Sequence, residues 1–596
     1  VIESFESFVN TTRVLTPFIQ KLTGIKQQEV NEAPPFSSVG PLFANFVGEC
    51  PVVGHNVSFD ITFLAKAGVK FNSPIFDTRE LASVLLPSGN YSLGVLAQNL
   101  GIPKWNAHRA LGDAQATHLV LDNLIHRALD MDPGVIAELN RLASKANWPI
   151  QHLFNAIIKE QQAHGKKSSL GMGGVDLASL EMRIHPKRTR NTTKSPELSS
   201  HPKPTPVVLA HTLIGPGGAL DRVIPNFEHR SEQETMFVGV AKALENEQHM
   251  IVEAGTGVGK SMAYLLPAAE FAIRNKTRVV ISTNTISLQE QLVNKDLPTT
   301  MSALIEAGIS DGSNFRFTTL KGRANYLCLN RWSHLRSSAE LSVDEARFMG
   351  KMTCWLQETS SGDRADIRTS RQDNGVWERL SAQGSRECPL QQGACFLRSA
   401  RERAESADVV VVNHSLLLSD LAMGGGLIPD YEYLVIDEAQ HLEAEATKQL
   451  GSRVAYSSFF DLLDALSGPR GLAREVMNSY RSSRAAESRK RATEQGSTHL
   501  TEGVARARQR LDEWFTVLNR FMRNRDGVDS GILNPMRVTS ATRAQPDWSE
   551  LEVAWENSSS AVSEVIRAVA SLHSSLDGME QLGLLNYEGL RSELLS

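Results

Sequence analysis

An apolar lead-in, a glycine-rich turn and a Lys-Ser pair follow one another in Ile251-Val-Glu-Ala-Gly-Thr-Gly-Val-Gly-Lys-Ser261, a combination that builds a cradle for phosphate. Gly255, Gly257 and Gly259, with Ala254, Thr256 and Val258 between and before them, let consecutive backbone N–H groups turn toward the β- and γ-phosphates of a nucleotide. Lys260 adds a point charge, and the Ser261 hydroxyl can ligate Mg²⁺. A helix expected from Met262 to Ile273, after a strand and the loop, adds its positive end. Ala254 stands where the strict pattern has its first glycine. A second stretch, Tyr433-Leu-Val-Ile-Asp-Glu-Ala-Gln-His441, reads as a short buried strand ending in two acids. Such a strand end presents a Mg²⁺-holding carboxylate, Asp437, and a water-activating one, Glu438, beside a phosphate loop. A bare glycine turn would explain the first stretch alone. A solvated acidic strand end would not explain the apolar and aromatic residues that lead into the acids.

A separate set of candidates lies nearer the N-terminus. Pro51-Val-Val-Gly-His-Asn-Val-Ser-Phe-Asp60 runs from a short strand into a helix continuing through Ile61-Thr-Phe-Leu64, which sets Asp60 at the strand-to-helix boundary. His108-Arg-Ala-Leu-Gly-Asp113 heads another helix. His108 and Asp113 are about 1.4 helical turns apart and do not share a face on a regular helix, so the imidazole is expected to project from the preceding loop over a metal held by Asp113. Either segment alone could be surface turn chemistry.

Further segments join the phosphate loop and the acid pair: Phe227-Glu-His-Arg-Ser-Glu-Gln233 before the loop, Val279-Val-Ile-Ser-Thr-Asn-Thr285 as the next strand, then Lys321-Gly-Arg-Ala-Asn-Tyr-Leu-Cys328 and Val409-Val-Val-Val-Asn-His414. Together they resemble the DinG/XPD branch of superfamily 2 ATP-dependent DNA helicases, and more closely DinG-like proteins with an exonuclease domain in front. The resemblance implies ATP and Mg²⁺ as cofactors, with Gln233 reading adenine and Thr283 and Asn284 near a single strand. It also implies that Lys260 stabilises the γ-phosphate, Ser261 and Asp437 hold Mg²⁺, and Glu438 orients and deprotonates the attacking water. Gln440 follows the acid box where a His is usual. The segments around Asp60 and His108–Asp113 resemble motifs II and III of DEDDh 3′–5′ exonucleases, and Pro17 through Thr23-Gly24-Ile25 and Phe76-Asp-Thr78 match that family's spacing. This likeness implies that Asp60 and Asp113 hold Mg²⁺ or Mn²⁺ and that His108 is the general base.

Five cysteines in a reducing compartment are poor candidates for disulfides. Cys50 reads as a small buried hydrophobe. Cys328, Cys354, Cys388 and Cys395 lie between the phosphate loop and the acid box, where the resembled family places a four-cysteine [4Fe–4S] cluster. Cys388-Pro-Leu-Gln-Gln-Gly-Ala-Cys395 brackets a glycine turn, so its thiolates can share one cluster. Cys354 falls in Phe348–Leu356, which reads as a helix; the family's second ligand would stand just before Cys388, where the chain has Ser381-Ala-Gln-Gly-Ser385. Reduced structural thiols are the alternative.

The 596 residues exceed a single core, and neither a secretory signal nor an apolar run of membrane length is evident, so the chain reads as cytoplasmic. A net charge of −5 argues against wholesale coating of a polyanion but allows a local basic groove. The expected architecture is α/β: a ribonuclease-H-like exonuclease domain over residues 1–165, a Pro/basic linker over 166–212, and a RecA-like P-loop helicase lobe over 213–445. The lobe carries the iron–sulfur insertion at about 320–405, and an incomplete helical arch insertion follows over 446–596. Packing stripes are expected at Val504, Leu511, Trp514, Leu518 and Phe521 and at Val562, Ile566, Val569 and Leu572. Arg484, Arg489, Arg491, Arg506, Arg508 and Arg510 are candidates for contacts to a nucleic-acid backbone, or simply a solvated face. Val1-Ile-Glu-Ser-Phe5 resembles the third strand of the exonuclease domain, its Asp-x-Glu motif has no counterpart, and nothing after Glu438 resembles a second helicase lobe, so the sequence is expected to be truncated at both ends. Single-stranded or forked DNA is the expected partner, with no membrane. Two rival readings are a non-catalytic DNA-binding module regulated by ATP and a P-loop ATPase acting on protein.

Overall fold

The structure, a computed structural model, describes the chain except residues 1, 12, 106, 171–172, 186–201, 207, 256, 339, 384–392, 452–453, 470, 527–535, 578–589, 591–593 and 595–596. Thr256 and Cys388 therefore lie outside the described residues. The described chain forms two compact units, one of residues 2–383 and 393–441 and one of residues 442–594.

In the first unit, β1 (Val52–Gly54) leads into α1 (Ser58–Lys66), and β2 (Ile75–Asp77) leads into α2 (Thr78–Leu85); the two strands pair in parallel. Two long helices follow, α3 (Ala110–Asp130) and α4 (Pro133–Lys145). Residues 2–9 form no strand: they are largely exposed, and the backbone pairs there only through Asn10 and Pro35. A strand needs a ladder partner. The expected linker is partly packed. Leu180 and Ile184 of the helix Leu177–Ile184, and Ala210, Leu213 and Ile214 of the helix Val208–Ile214, are buried, because each short segment carries an apolar face at helical spacing.

The phosphate loop opens α5 (Lys260–Asn275), close to the helix expected from the sequence. A four-stranded parallel sheet follows, built of β3 (Val279–Thr283), β4 (Phe317–Thr319), β5 (Val409–Asn413) and β6 (Tyr433–Ile436) in the order β4-β5-β3-β6. The β-branched runs of β3 and β5 are buried along nearly their whole length, as central parallel strands must be. The lead-in Ile251–Ala254 is not a strand here. Ile251 is fully exposed, and no described strand pairs with it beyond β6.

Side chains alternate across this sheet. Val279, Ile281, Val409 and Val411 point into a core shared with α5, whereas Val280, Val410 and Val412 point into the opposite core. That second core is continuous with the insertion, through α6 (Leu329–Ser337), α7 (Val343–Trp355) and α8 (Phe396–Glu405), and with α2, α3 and α4 of the N-terminal region. The N-terminal domain and the insertion are thus packed together rather than joined only by a tether.

The second unit is helical, dominated by α9 (Glu487–Asp526) against α10 (Trp548–Ser575). Val504, Leu511 and Leu572 lie in its core as expected, with Val562 and Val569 packed against it. Ile566 does not: it is 62% exposed, and Val565, one position earlier, takes the buried place. A shift of one residue turns the stripe by about 100° on a helix of 3.6 residues per turn.

Candidate functional site

The carboxyl ends of the parallel strands gather the helicase-like motifs: Thr283 as the last residue of β3, Leu320-Lys321 after β4, Asn413 as the last residue of β5 with His414 next to it, and Asp437-Glu438 after β6. This edge is where open α/β sheets bind ligands. Thr283 stands opposite Asn413 in the ladder, and Asp437 N–H donates to Ser282 O at 2.8 Å, so the acid pair is tied directly to β3.

Glycine is required at the mouth of α5. Gly257 and Gly259 have φ of 83° and 81°, and a Cβ on Gly259 would stand 2.3 Å from Gln233 Nε2. The buried Gln233 amide donates to Gly259 O at 2.9 Å, so Gln233 braces the loop. Lys260 Nζ reaches Glu438 Oε1 at 3.1 Å, joining the two motifs across 178 residues of sequence. Gln440 Nε2 donates to the other carboxylate oxygen, and these two partners, Gln440 first, hold the Glu438 carboxyl below its ordinary range. Burial, and then the Glu438 charge, push Asp437 the other way.

Ser261 and Asp437 share a neighbour that the sequence did not single out. The Tyr264 hydroxyl is buried close enough to both to feel them, yet makes no hydrogen bond of good geometry. The Ser261 hydroxyl also neighbours Asp296, which burial pushes above its ordinary pKa and which closes a π-helical turn, Leu292–Asp296. Two acids, a serine hydroxyl and an unsatisfied phenol are an oxygen-rich set that fits a hard cation. Nothing in the sequence pattern marked Tyr264 or Asp296.

The remaining motif residues are arranged behind this edge. Ser282 Oγ and His414 Nδ1 are 2.7 Å apart in full burial. Thr283 is fully buried with its hydroxyl unsatisfied, and Asn284 beside it is half-exposed. Lys321 is buried against Asp363 at 2.6 Å and Glu290 at 2.9 Å; desolvation opposes its charge, but the two acids outweigh it and hold its pKa up.

Cys328 and Cys395 each occupy the N-cap of a helix, α6 and α8, and both are half-buried. A helix N-terminus favours thiolate. Their strands of chain are neighbours: Leu327 N–H donates to Gly362 O at 2.9 Å, and the ring of Phe396 packs on Gly362. Cys354 is different. It is fully enclosed within α7, facing Arg127 of α3 and Glu358, and burial pushes its thiol up to about 12. No group of three or more His, Cys, Asp or Glu placed to hold a metal occurs among the described residues.

In the N-terminal domain the turn His55-Asn56-Val57 joins β1 to α1, with Asn56 at φ 61°. Asp77 accepts from the N–H groups of Asn56 at 3.0 Å, Val57 at 2.9 Å and Arg79 at 2.8 Å, bracing that turn and capping α2. Asp60 lies exposed in the first turn of α1, its pKa raised by desolvation and by Asp77. His108 stands before α3 at φ 66°, as a loop residue. Asp113 Oδ1 accepts from the Trp105 indole at 2.8 Å. Asp60, His108 and Asp113 are placed on the expected elements without being drawn into one metal-holding group.

In the second unit Arg506 pairs with Glu564, Arg508 with Asp464 and Arg510 with Glu513, all on the surface.

Known proteins resemble both halves. The exonuclease family profile matches residues 1–121, and that of DEAD/DEAH box helicases matches residues 238–307. The chain is 29% identical over 471 residues to "3'-5' exonuclease DinG" of Bacillus subtilis, covering 76% of this chain and 48% of that protein. It is 36% identical to "ATP-dependent DNA helicase YoaA" of Escherichia coli, over 42% of this chain and 39% of the relative. It is 38% identical to "ATP-dependent helicase DinG" of Mycobacterium tuberculosis, over 37% of this chain and 35% of the relative. The chain therefore carries an exonuclease domain followed by a DEAD/DEAH box helicase domain, and spans about half or less of the length of these relatives.

Proposed function

We propose that the chain works as an ATP-dependent DNA helicase of the DinG type coupled to a 3′–5′ exonuclease, acting in the cytoplasm on single-stranded or forked DNA in repair or replication. The observation that carries this reading is the Lys260–Glu438 contact at 3.1 Å, which brings the phosphate loop and the acid box to one sheet edge. In this reading the amides of the glycine loop bind the triphosphate and Lys260 neutralises its γ end. Phosphate competes with Glu438 for the ammonium, which frees one carboxylate oxygen to take the proton of the attacking water while Gln440 keeps the other oriented. Ser261 and Asp437 would hold Mg²⁺, which when bound would supply positive charge beside the phosphoryl oxygens. DNA-stimulated ATP turnover tests this. Glu438→Gln should retain nucleotide binding and lose ~10²–10⁴ in turnover, as for loss of a general base; turnover unchanged in that variant would refute the role.

For the exonuclease domain we assign Asp60 and Asp113 to Mg²⁺ or Mn²⁺ and His108 to general base. Loss of 3′–5′ degradation of single-stranded DNA in Asp60→Asn is the expected result. For the insertion we assign Cys328, Cys388 and Cys395 to a [4Fe–4S] cluster, which when bound would cross-link the segments that carry them. The sealed thiol of Cys354 suits a packing role better.

A further inference from the structure

We propose that Lys351, a residue of the helicase insertion, is a positioning residue for the exonuclease centre, acting through Tyr91 and His55 on the turn that leads into the helix bearing Asp60. The proposal rests on the exonuclease reading of the N-terminal domain and adds to it a dependence on a helicase element.

Lys351 lies on α7, 2% exposed, with its ammonium 5.3 Å from the centre of the Tyr91 ring and donating to Arg368 O. A cation over an aromatic face in a desolvated setting is held more strongly than one at the surface. Asp373 favours the charge, Arg347 and Arg368 oppose it, and burial opposes it most. The segment Leu86–Tyr91 is clipped to the insertion at two further points: Arg368 N–H donates to Pro87 O at 3.2 Å, and Ser88 Oγ donates to Asp366 O at 2.6 Å. The segment is also folded on itself, with the Tyr91 hydroxyl 2.7 Å from Leu86 O and 2.9 Å from Pro87 O. It is therefore tied to Lys351 and Arg368 by three separate contacts.

Its far end reaches the candidate centre. Tyr91 O lies 2.8 Å from His55 Nε2, and His55 Nδ1 lies 2.9 Å from the Thr78 hydroxyl. A carbonyl can only accept, so Nε2 carries the proton; in the neutral ring favoured by burial, Nδ1 is left as an acceptor that shares the Thr78 hydroxyl with Gly54 O, 3.2 Å from that hydroxyl. The imidazole is thus a fixed strut between the loop and the β1–α1 turn. The other side of that turn is held by Asp77, and the next helical turn bears Asp60. At the helix crossing itself, a Cβ on Gly350 would meet Leu139 at 3.1 Å and Val84 at 3.3 Å, so α7 sits hard against α2 and α4.

Hydrogen exchange of the full chain, read peptide by peptide, tests this without requiring nuclease turnover, so a failure here is distinct from a failure of the exonuclease assignment. In Lys351→Met the expected result is several-fold faster exchange over residues 52–57 and 86–91, unchanged exchange over 133–145, and no fall in Tm, because a buried charge has been removed. If residues 52–57 exchange as in the parent chain, or if all three regions loosen together with a lower Tm, the proposal is wrong. Tyr91→Leu, which removes the ring at a half-buried position and keeps the carbonyl, gives the same comparison should Lys351→Met not purify.

Discussion

Glu438 stands at φ 56°, a conformation that a non-glycine side chain adopts at some cost. Seven non-glycine residues among the described ones have positive φ, and three of them, Asn56, His108 and Glu438, fall inside the segments that sequence chemistry singles out. Backbone strain and candidate chemistry coincide at both centres. Asp437 shows the same tension electrostatically. Its folded-state pKa lies above the ordinary 3.8, chiefly through burial, so folding favours its protonated form. The stabilisation that protonation brings is complete below the unfolded value and lost as pH rises through the folded one. Ionising Asp437 in the nucleotide-free protein therefore leaves a buried, partly compensated charge. Asp437→Asn should raise its Tm at pH 7, by an amount that shrinks as the pH is lowered toward 3.8, while weakening Mg²⁺-nucleotide binding. Calorimetry with and without nucleotide checks both signs. At Cys354 a thiol pushed up to about 12 is a poor iron ligand. Iron and sulfide in anaerobically purified protein should persist in Cys354→Ser and disappear in Cys328→Ser and Cys395→Ser.

Helices and strands were legible where one periodicity dominated. The valine runs of β3 and β5, the helix after the phosphate loop and the turn from β1 into α1 all follow from local pattern. What escaped was decided by partners distant in sequence. Ile251–Ala254 has strand character but no neighbour among the described strands, and Leu177–Ile184 sits in a proline-rich stretch yet buries two side chains. The shared core was invisible for the same reason. Glu138 on α4, 3% exposed, accepts from Arg141 on its own helix and from Arg336 on α6 at 2.7 Å. Arg141 and Lys145 in turn donate to the carbonyl of Arg336 at the end of α6. Neither partner carries a local signal. Breaking a buried ion pair costs about 3–5 kcal/mol, and Arg336→Met should fall at the lower end because Arg141 still neutralises Glu138. Removing the exposed Arg506 from its pair with Glu564 should change stability by no more than ~1 kcal/mol. Urea unfolding of the two variants would show whether the domain contact is as firm as its burial implies.

At the scale of the molecule, one sheet divides the first unit: one face packs on the helix that begins at the phosphate loop, the other on the insertion and, through it, on the exonuclease domain. The motif spacing revealed two chemistries but not that they share this wall. Sequence alone suggested a tether. The geometry instead makes the insertion common ground between the sheet that bears Lys260 and Glu438 at its edge and the N-terminal domain. All of this depends on the sheet edge at Lys260 and Glu438 being a nucleotide site. Equilibrium binding of a fluorescent ATP analogue to the full chain in Mg²⁺ tests that most directly. The account predicts saturable binding that chelation of Mg²⁺ weakens, that Lys260→Ala abolishes and that Glu438→Gln retains. Equal binding by Lys260→Ala and the parent chain would contradict it.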